Sequence, residues 1–169
     1  SATGVTWAIT DLGDGQSFTI AATAITGEGS LEPSIAAGAV QDTAGDDNAV
    51  STSSDNSVTY DTVSPNVTVE QGATQADPAS ALPVNFTVTF DEAVDPASFL
   101  PTDIVQSGTA SGVTWAITNG GDNRVYNLSA TAVDFQGTLI PSIAAGSVQD
   151  FVGNGNTAST STDNSVEVD

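Results

Sequence analysis

The chain has 169 residues, of which 21 are acidic and one is basic, so its formal net charge at pH 7 is −20. It contains no cysteine and no histidine, which excludes a disulfide framework, a Cys/His metal site and a histidine general base. The single cation, Arg124, cannot neutralise a phosphate backbone, and no apolar run approaches the roughly 18 residues of a membrane-spanning helix, so we expect neither a nucleic-acid partner nor membrane insertion.

The chain contains an internal repeat. Residues 1–61 reappear without gaps as residues 109–169, with 34 identical positions out of 61. The segment Gly4–Thr10, for example, returns as Gly112–Thr118. A fixed period of this fidelity indicates a tandem array, and a period of about 108 residues suits one β-sandwich module. We therefore interpret the chain as the C-terminal half of one repeat, residues 1–61, followed by one complete repeat, residues 62–169.

The half repeat contains two apolar rows with the spacing of β-strands. We expect Val5, Trp7 and Ile9 to share one strand face, with the tryptophan as a core anchor, and Phe18 and Ile20 to share another. Counterparts of residues 66–107 are missing, and these would carry the first strands of its sandwich. Either the chain is an excerpt from a longer array, or another chain donates the missing half.

The complete repeat is predicted to contain about seven strands and no long helix. The segment Val84–Phe90 alternates strictly, so its four apolar residues should face a core. One helical turn is expected at Asp95–Phe99. Seven short strands separated by turn signals predict an all-β fold, an immunoglobulin-like Greek-key sandwich. The predicted strands span residues 66–70, 83–90, 104–108, 112–118, 125–133, 138–144 and 163–168.

The acidic residues lie in the predicted loops rather than along the strands. In an immunoglobulin topology, the start of the domain and several loops meet at one end, which would bring together Asp61, Asp91, Glu92 and Asp150. Converging negative charges cost energy unless a cation neutralises them, and Ca²⁺ binds six to eight oxygen ligands without histidine or cysteine. We therefore hypothesise a Ca²⁺ site with these four ligands at the junction with the preceding repeat. The alternative is a solvated acidic rim that keeps the chain soluble.

Paired carboxylates also suggest glycoside hydrolysis. A hydrolase needs a formed cleft and aromatic residues that bind sugar, but most of the few aromatic residues of this chain fall in strand-core rows. Tandem modules, moreover, usually supply length, stiffness or valency. We expect no catalytic residues and no enzyme activity.

Several motifs resemble those of bacterial immunoglobulin-like tandem repeats. Asp61–Pro65 is similar to their Asp-x-Thr-Ala-Pro linker, and Phe90–Val94 to their Phe-Ser-Glu-Pro-Val strand end; Ser64, Asp91 and Ala93 depart from these patterns. Ala145–Asn154 resembles their Ala-Gly-x-x-x-Asp-x-x-Gly-Asn loop. The resemblance implies a module of a large extracellular surface adhesin or S-layer-associated protein, without catalytic residues. In related adhesins, Ca²⁺ stiffens the linkers.

The expected function is a non-enzymatic stalk or spacer at the cell surface, with neighbouring repeats as partners. The main alternative is a subunit of an extracellular filament, in which an identical chain completes the half repeat. A third alternative is a carbohydrate-binding module for surface glycans, for which Phe99 and Phe151 are the candidate aromatics.

Overall fold

The chain is all-β. The computed structural model describes residues 1–169 and divides into two compact units, Ser1–Thr62 (unit 1) and Val63–Asp169 (unit 2). The division falls one residue after the boundary drawn from the repeat. The regular structure consists of β-strands and one 3-10 turn, Pro101–Asp103. None of it is a helix of the length and apolar character needed to cross a membrane.

Unit 1 consists of two small antiparallel pairs of strands. β1 pairs with β2, and β3 pairs with β4. The turn between β1 and β2 is closed by Asp14, whose Oδ1 accepts hydrogen bonds from the backbone N–H groups of Gln16 (2.9 Å) and Ser17 (2.7 Å). The strands are β1 (Thr6–Asp11), β2 (Phe18–Ala24), β3 (Gly29–Leu31) and β4 (Val58–Tyr60).

Unit 2 contains two larger antiparallel sheets, an arrangement consistent with a β-sandwich. One sheet has four strands in the order β5-β6-β9-β8, and the other has three in the order β11-β10-β7. The strands are β5 (Val67–Gln71), β6 (Val84–Phe90), β7 (Ile104–Ser107), β8 (Thr114–Asn119), β9 (Val125–Ala132), β10 (Gly137–Ile143) and β11 (Val166–Val168).

Both sheets of unit 2 contribute to a single core. The alternation predicted for β6 is confirmed, because its four apolar residues are at most 2% exposed. From the second sheet, Leu139, Ile143 and Val166 join the same cluster. At one end of the core, Phe99 packs edge-to-face against Tyr126 at a centroid distance of 5.2 Å. The core therefore depends on residues far apart in the sequence.

The expected helical turn at Asp95–Phe99 is a hydrogen-bonded turn instead. Oδ1 of Asp95 accepts the N–H of Ala97 (2.9 Å), and the carbonyl oxygen of Asp95 accepts the N–H of Ser98 (2.9 Å). The chain does not continue as a helix after this turn, and Phe99 belongs to the core, where it is 4% exposed.

The second half of unit 2 repeats the strand pattern of unit 1. When 108 is added to the number of the first residue of β1, β2, β3 and β4, the result matches the first residue of β8, β9, β10 and β11, respectively, to within one residue. The cross-strand pairing is also shared: Trp7 lies opposite Ala22, Trp115 lies opposite Ala130, and both pairs of strands shift register at the residue before the tryptophan. The copied sequence thus adopts the same local structure twice.

Burial differs between the two copies. The expectation that Trp7 anchors a core is wrong, because its side chain is 41% exposed. Trp115 is partly buried against the core and packs edge-to-face on Phe86 at a centroid distance of 5.9 Å. Phe86 belongs to β6, which has no counterpart in unit 1.

Candidate functional site

Two of the four acidic residues singled out in the sequence, Glu92 and Asp150, come together within unit 2. An oxygen of the Glu92 carboxylate lies within 4.8 Å of an oxygen of the Asp150 carboxylate. Glu92 lies in the loop that follows β6, and Asp150 lies in the loop that follows β10. Glu92 is half-buried, and Asp150 is only 5% exposed. Asp61 directly follows β4 in unit 1 and is half-buried.

Asp150 is held by the turn that it begins. Its Oδ2 accepts a hydrogen bond from Nδ2 of Asn154 (2.8 Å). Its Oδ1 accepts the backbone N–H groups of Val152 (2.8 Å), Gly153 (2.7 Å) and Asn154 (2.8 Å). Gly153 has a φ of 100°, a conformation that favours glycine. The Asp-x-x-Gly-Asn motif is therefore a turn whose first carboxylate accepts the hydrogen bonds of the residues that follow.

The charge on Asp150 is stabilised despite its burial. Burial alone would raise the pKa of this carboxyl group, but the backbone and side-chain hydrogen bonds of Asn154, with those of Val152 and Gly153, outweigh it and lower the pKa. Since Oδ1 already accepts three donors, Oδ2 is the oxygen that retains room for a cation.

The loops that carry Glu92 and Asp150 are bound to each other. Val94 forms an isolated antiparallel bridge with Asp150, and the N–H of Asp95 donates to the carbonyl oxygen of Gln149 (2.8 Å). The hydroxyl of Ser98 accepts the N–H of Gln149 (2.9 Å). These contacts fix the loop after β6 against the loop after β10 and thereby position Glu92 near Asp150.

Asp91, which was also named from the sequence, does not belong to the pair of Glu92 and Asp150. Its Oδ1 accepts the backbone N–H of Asn66 (2.8 Å), and its Oδ2 accepts Nδ2 of the same residue (2.8 Å). The side-chain hydrogen bond is the largest cause of the lowered pKa of Asp91. The guanidinium of Arg124 donates to the carbonyl oxygen of Asp91. Asp91 therefore fastens the start of β5 to the end of β6.

The carboxylates of Glu92 and Asp150 have the chemistry of ligands for a hard cation. Ca²⁺–oxygen distances of roughly 2.3–2.6 Å allow two ligand atoms to lie at most about 5.2 Å apart, and the observed limit of 4.8 Å falls within that span. These two carboxylates supply only part of a calcium shell, so further carboxylate or carbonyl oxygens and water would complete it. Asn154 was not named as a site residue from the sequence, although the Asp-x-x-Gly-Asn motif contains it.

The two aromatic candidates for carbohydrate binding lie in different environments. Phe99 is 4% exposed and belongs to the core, whereas Phe151 is 63% exposed. A sugar-binding platform needs exposed ring faces, so Phe99 is unsuitable for that role.

Comparison of the chain with protein-family models, with curated proteins and with solved structures found no match.

Proposed function

We propose that this chain is a non-enzymatic structural module of an extracellular repeat protein and acts as a stalk or spacer at the cell surface. The observation that carries the proposal is the repetition itself. The two copies share 34 of 61 positions, and the strands β1 to β4 of the first copy recur in the second as β8 to β11. Repeated autonomous modules supply length and spacing, and neighbouring repeats are the partners such a function requires.

We further propose that unit 2 is an immunoglobulin-like Greek-key sandwich. The strand order supports this topology: with β5 to β11 read as strands A to G, the sheets are A-B-E-D and G-F-C. This is the order of a constant-type immunoglobulin domain. The single core shared by both sheets supports the same proposal.

The spacer function has a direct test in solution. Proteins with one, two and three tandem copies of residues 62–169 should increase in maximum dimension by equal steps in small-angle X-ray scattering. Equal steps are expected because each copy of residues 62–169 contains 12 acidic residues and one basic residue, so successive copies repel one another and collapse is disfavoured. Copies that collapse onto one another, without a regular increment, would contradict the proposal.

We propose Ca²⁺ as the ion that Asp61, Glu92 and Asp150 bind. Support comes from the spacing of the Glu92 and Asp150 oxygens within unit 2 and from the charge of Asp150, which its hydrogen bonds maintain. A cation at these residues would neutralise converging negative charge and order the linker at Asp61–Pro65. The functional consequence would be a smaller range of bending between successive repeats.

Thermal unfolding of the 169-residue chain tests calcium binding. Unfolding is measured in EDTA, in millimolar Ca²⁺, in Mg²⁺ and in NaCl of equal ionic strength. A ligand that binds only the folded state at a thousandfold excess over its Kd adds about 4 kcal/mol to the free energy of unfolding. We expect a shift of that order with Ca²⁺ and a smaller one with Mg²⁺.

Matched variants separate a specific site from general charge screening. Asp61→Asn and Glu92→Gln should abolish the calcium-dependent shift, whereas Asp163→Asn removes the same charge from an exposed residue outside the group and should retain it. A shift no larger than that of NaCl, or one that all three variants retain, would contradict calcium binding at this site.

A further inference from the structure

Two segments that lie far apart in the sequence of unit 2 run side by side in the same direction. β5 forms a parallel bridge, between Thr68 and Thr160, with the segment that precedes β11. A second parallel bridge joins Ala79 to Val168 in β11. The named strand pairs of unit 2, in contrast, are all antiparallel. The first strand of the unit therefore contacts the segment that leads into its last strand.

The contact between residues 65–71 and residues 157–163 is held along its whole length. We call this contact the parallel clamp. Four backbone hydrogen bonds of between 2.6 and 3.0 Å cross it. In the donor-to-acceptor direction, they run from Thr157 to Pro65, from Thr160 to Val67, from Val69 to Thr160 and from Gln71 to Asp163. The bonds are thus spread from one end of β5 to the other.

Side chains add further bonds across the parallel clamp. The carboxylate of Glu70 accepts the backbone N–H groups of Thr162 (2.9 Å) and Asp163 (2.8 Å). At the other end, the hydroxyl of Thr157 donates to Oδ1 of Asn66 (3.0 Å). Hydrogen bonds to an ionised acceptor are stronger than those between neutral groups. Glu70 therefore strengthens the end of the clamp that lies next to β11.

A second contact continues beside β11. The N–H of Ala79 donates to the carbonyl oxygen of Glu167 (2.7 Å), and the N–H of Asp169 donates to the carbonyl oxygen of Ala79 (3.0 Å). Oδ1 of Asp77 accepts the N–H of Glu167 (2.9 Å). The segment that follows the parallel clamp is thus also tied to the first half of the unit.

The parallel direction decides how tension acts on these bonds. Val63 precedes β5, whereas Asp169 follows β11. Tension between these two residues pulls residues 65–71 and 157–163 in opposite directions along their length. The bonds of the parallel clamp are then loaded together, in shear. Tension at one end of both segments would instead load the bonds one after another. Bonds that must break together give a higher barrier to forced unfolding, which is governed by the unfolding rate.

We propose that unit 2 is a force-bearing domain, in which the parallel clamp resists tension between Val63 and Asp169. This inference goes beyond a spacer function, because a spacer needs only length, whereas a force-bearing domain keeps its fold under load. It concerns unit 2 by itself and does not depend on calcium. Regular increments in scattering neither require nor exclude a strong clamp, so the failure of one proposal is distinguishable from the failure of the other.

The experiment pulls single molecules of the full chain in two directions, in EDTA. Because the chain contains no cysteine, introduced thiols alone set the attachment points. Val63→Cys with Asp169→Cys loads the parallel clamp in shear. Val63→Cys with Val152→Cys loads it from one end, since both sites precede the paired segments; each of these two valines is 49% exposed. We expect a several-fold higher unfolding force in the first direction, and a released length of roughly 3.6 Å per residue identifies unfolding of unit 2.

Matched carboxylate variants locate the resistance. Glu70→Ala removes an acceptor within the parallel clamp. Asp122→Ala removes a carboxylate that also accepts two backbone N–H groups, those of Arg124 (2.9 Å) and Val125 (2.9 Å), but in the turn between β8 and β9. In the shear direction, Glu70→Ala should lower the unfolding force and raise the unfolding rate about tenfold, whereas Asp122→Ala should change neither. Glu70→Gln keeps one acceptor oxygen and should lie between wild type and Glu70→Ala.

The proposal is overturned if the two directions of pulling require equal force. It is also overturned if Asp122→Ala lowers the force in the shear direction as much as Glu70→Ala does. If circular dichroism shows that Glu70→Ala does not fold, Glu70→Gln decides in its place, and an unchanged force for that variant contradicts the proposal.

Discussion

Units 1 and 2 present the same strand sequences in two different surroundings. Phe18 in β2 is 52% exposed, whereas Tyr126 at the copied position in β9 is 2% exposed; for Ile20 and Leu128 the values are 39% and 0%. The pairing within β1-β2 and β8-β9 is nevertheless the same. Local strand formation in this chain thus follows the local sequence, whereas burial requires strands supplied from elsewhere.

The acidic turns of the two units give the same lesson. Oδ1 of Asp42 accepts the N–H groups of Ala44 (2.8 Å) and Asp46 (2.9 Å), much as Asp150 does in its own turn. Asp42 is exposed and Asp150 is buried. The same kind of turn is therefore exposed to water in one unit and packed against a core in the other. This difference changes how much each hydrogen bond contributes to the free energy of unfolding.

The largest expected difference between the units concerns matched core truncations. Leu128→Ala should lower the free energy of unfolding of unit 2 by about 2–5 kcal/mol, because it leaves a cavity in a packed core. Ile20→Ala should cost unit 1 about 1 kcal/mol or less, since the side chain is already partly in water. Urea unfolding followed by Trp115 fluorescence in a Trp7→Phe background, and by Trp7 fluorescence in a Trp115→Phe background, measures each unit separately. Equal losses would mean that unit 1 has a closed core of its own.

The acidic turns provide the next comparison. Asp150→Ala removes the acceptor of three backbone N–H groups at a buried position, so unit 2 should lose about 2–4 kcal/mol. Asp42→Ala should have a much smaller effect on unit 1, since water replaces its carboxylate. Urea unfolding in EDTA excludes any contribution from Ca²⁺. A loss of less than about 1 kcal/mol for Asp150→Ala would show that the carboxylate does not hold the turn.

The pH dependence of stability should differ between wild type and Glu70→Gln. Glu70 accepts the N–H groups of Thr162 (2.9 Å) and Asp163 (2.8 Å), and the hydrogen bond from Thr162 is the largest cause of its lowered pKa. Because the pKa is lower in the folded state than its usual value of 4.5, the stabilisation is present above that pH and is lost as the pH falls through the folded-state pKa.

Urea midpoints of unit 2 measured between pH 6 and pH 3 check this prediction. Glu70→Gln should flatten the decline on acidification, whereas Asp163→Asn, which removes an equal charge beside it, should leave the slope nearly unchanged. Unit 1 lacks a counterpart of Glu70, so this substitution should not alter its acid response. An unchanged slope for Glu70→Gln would show that the carboxylate of Glu70 contributes no pH-dependent stability.

The smallest expected effect concerns Tyr126. Its buried hydroxyl makes no hydrogen bond, and burial, followed by the negative charges of Asp122 and Asp95, raises its pKa. The copied position in unit 1 is Phe18. Tyr126→Phe should therefore leave the stability of unit 2 unchanged or raise it by about 1 kcal/mol, because a buried hydroxyl without a partner carries a desolvation cost. A measured loss above about 1 kcal/mol in urea unfolding would reveal a partner, such as bound water.

Much of the fold follows from the sequence. The alternation in Val84–Phe90 predicted both a strand and its buried face, since successive side chains of a strand point to opposite sides. The other predicted strands of unit 2 coincide with observed ones to within three residues at their ends. Of the four residues named for the acidic site, Glu92 and Asp150 come together within unit 2, because loops at one end of a sheet topology are neighbours whatever their separation along the chain.

The tertiary structure decided which side chains are buried and which residues the carboxylates bind, because both depend on residues that are distant in the sequence. Asp91 binds Asn66 across two strands, and no local pattern distinguishes it from Glu92 next to it. Trp7 and Trp115 lie in identical seven-residue segments, yet only Trp115 has Phe86 to pack against. The sequence by itself determined strands, turns and the repeat, because these follow from the periodicity and conformational preferences of neighbouring residues. Burial and carboxylate partners required the fold, because they depend on which residues from other strands come within a few ångströms.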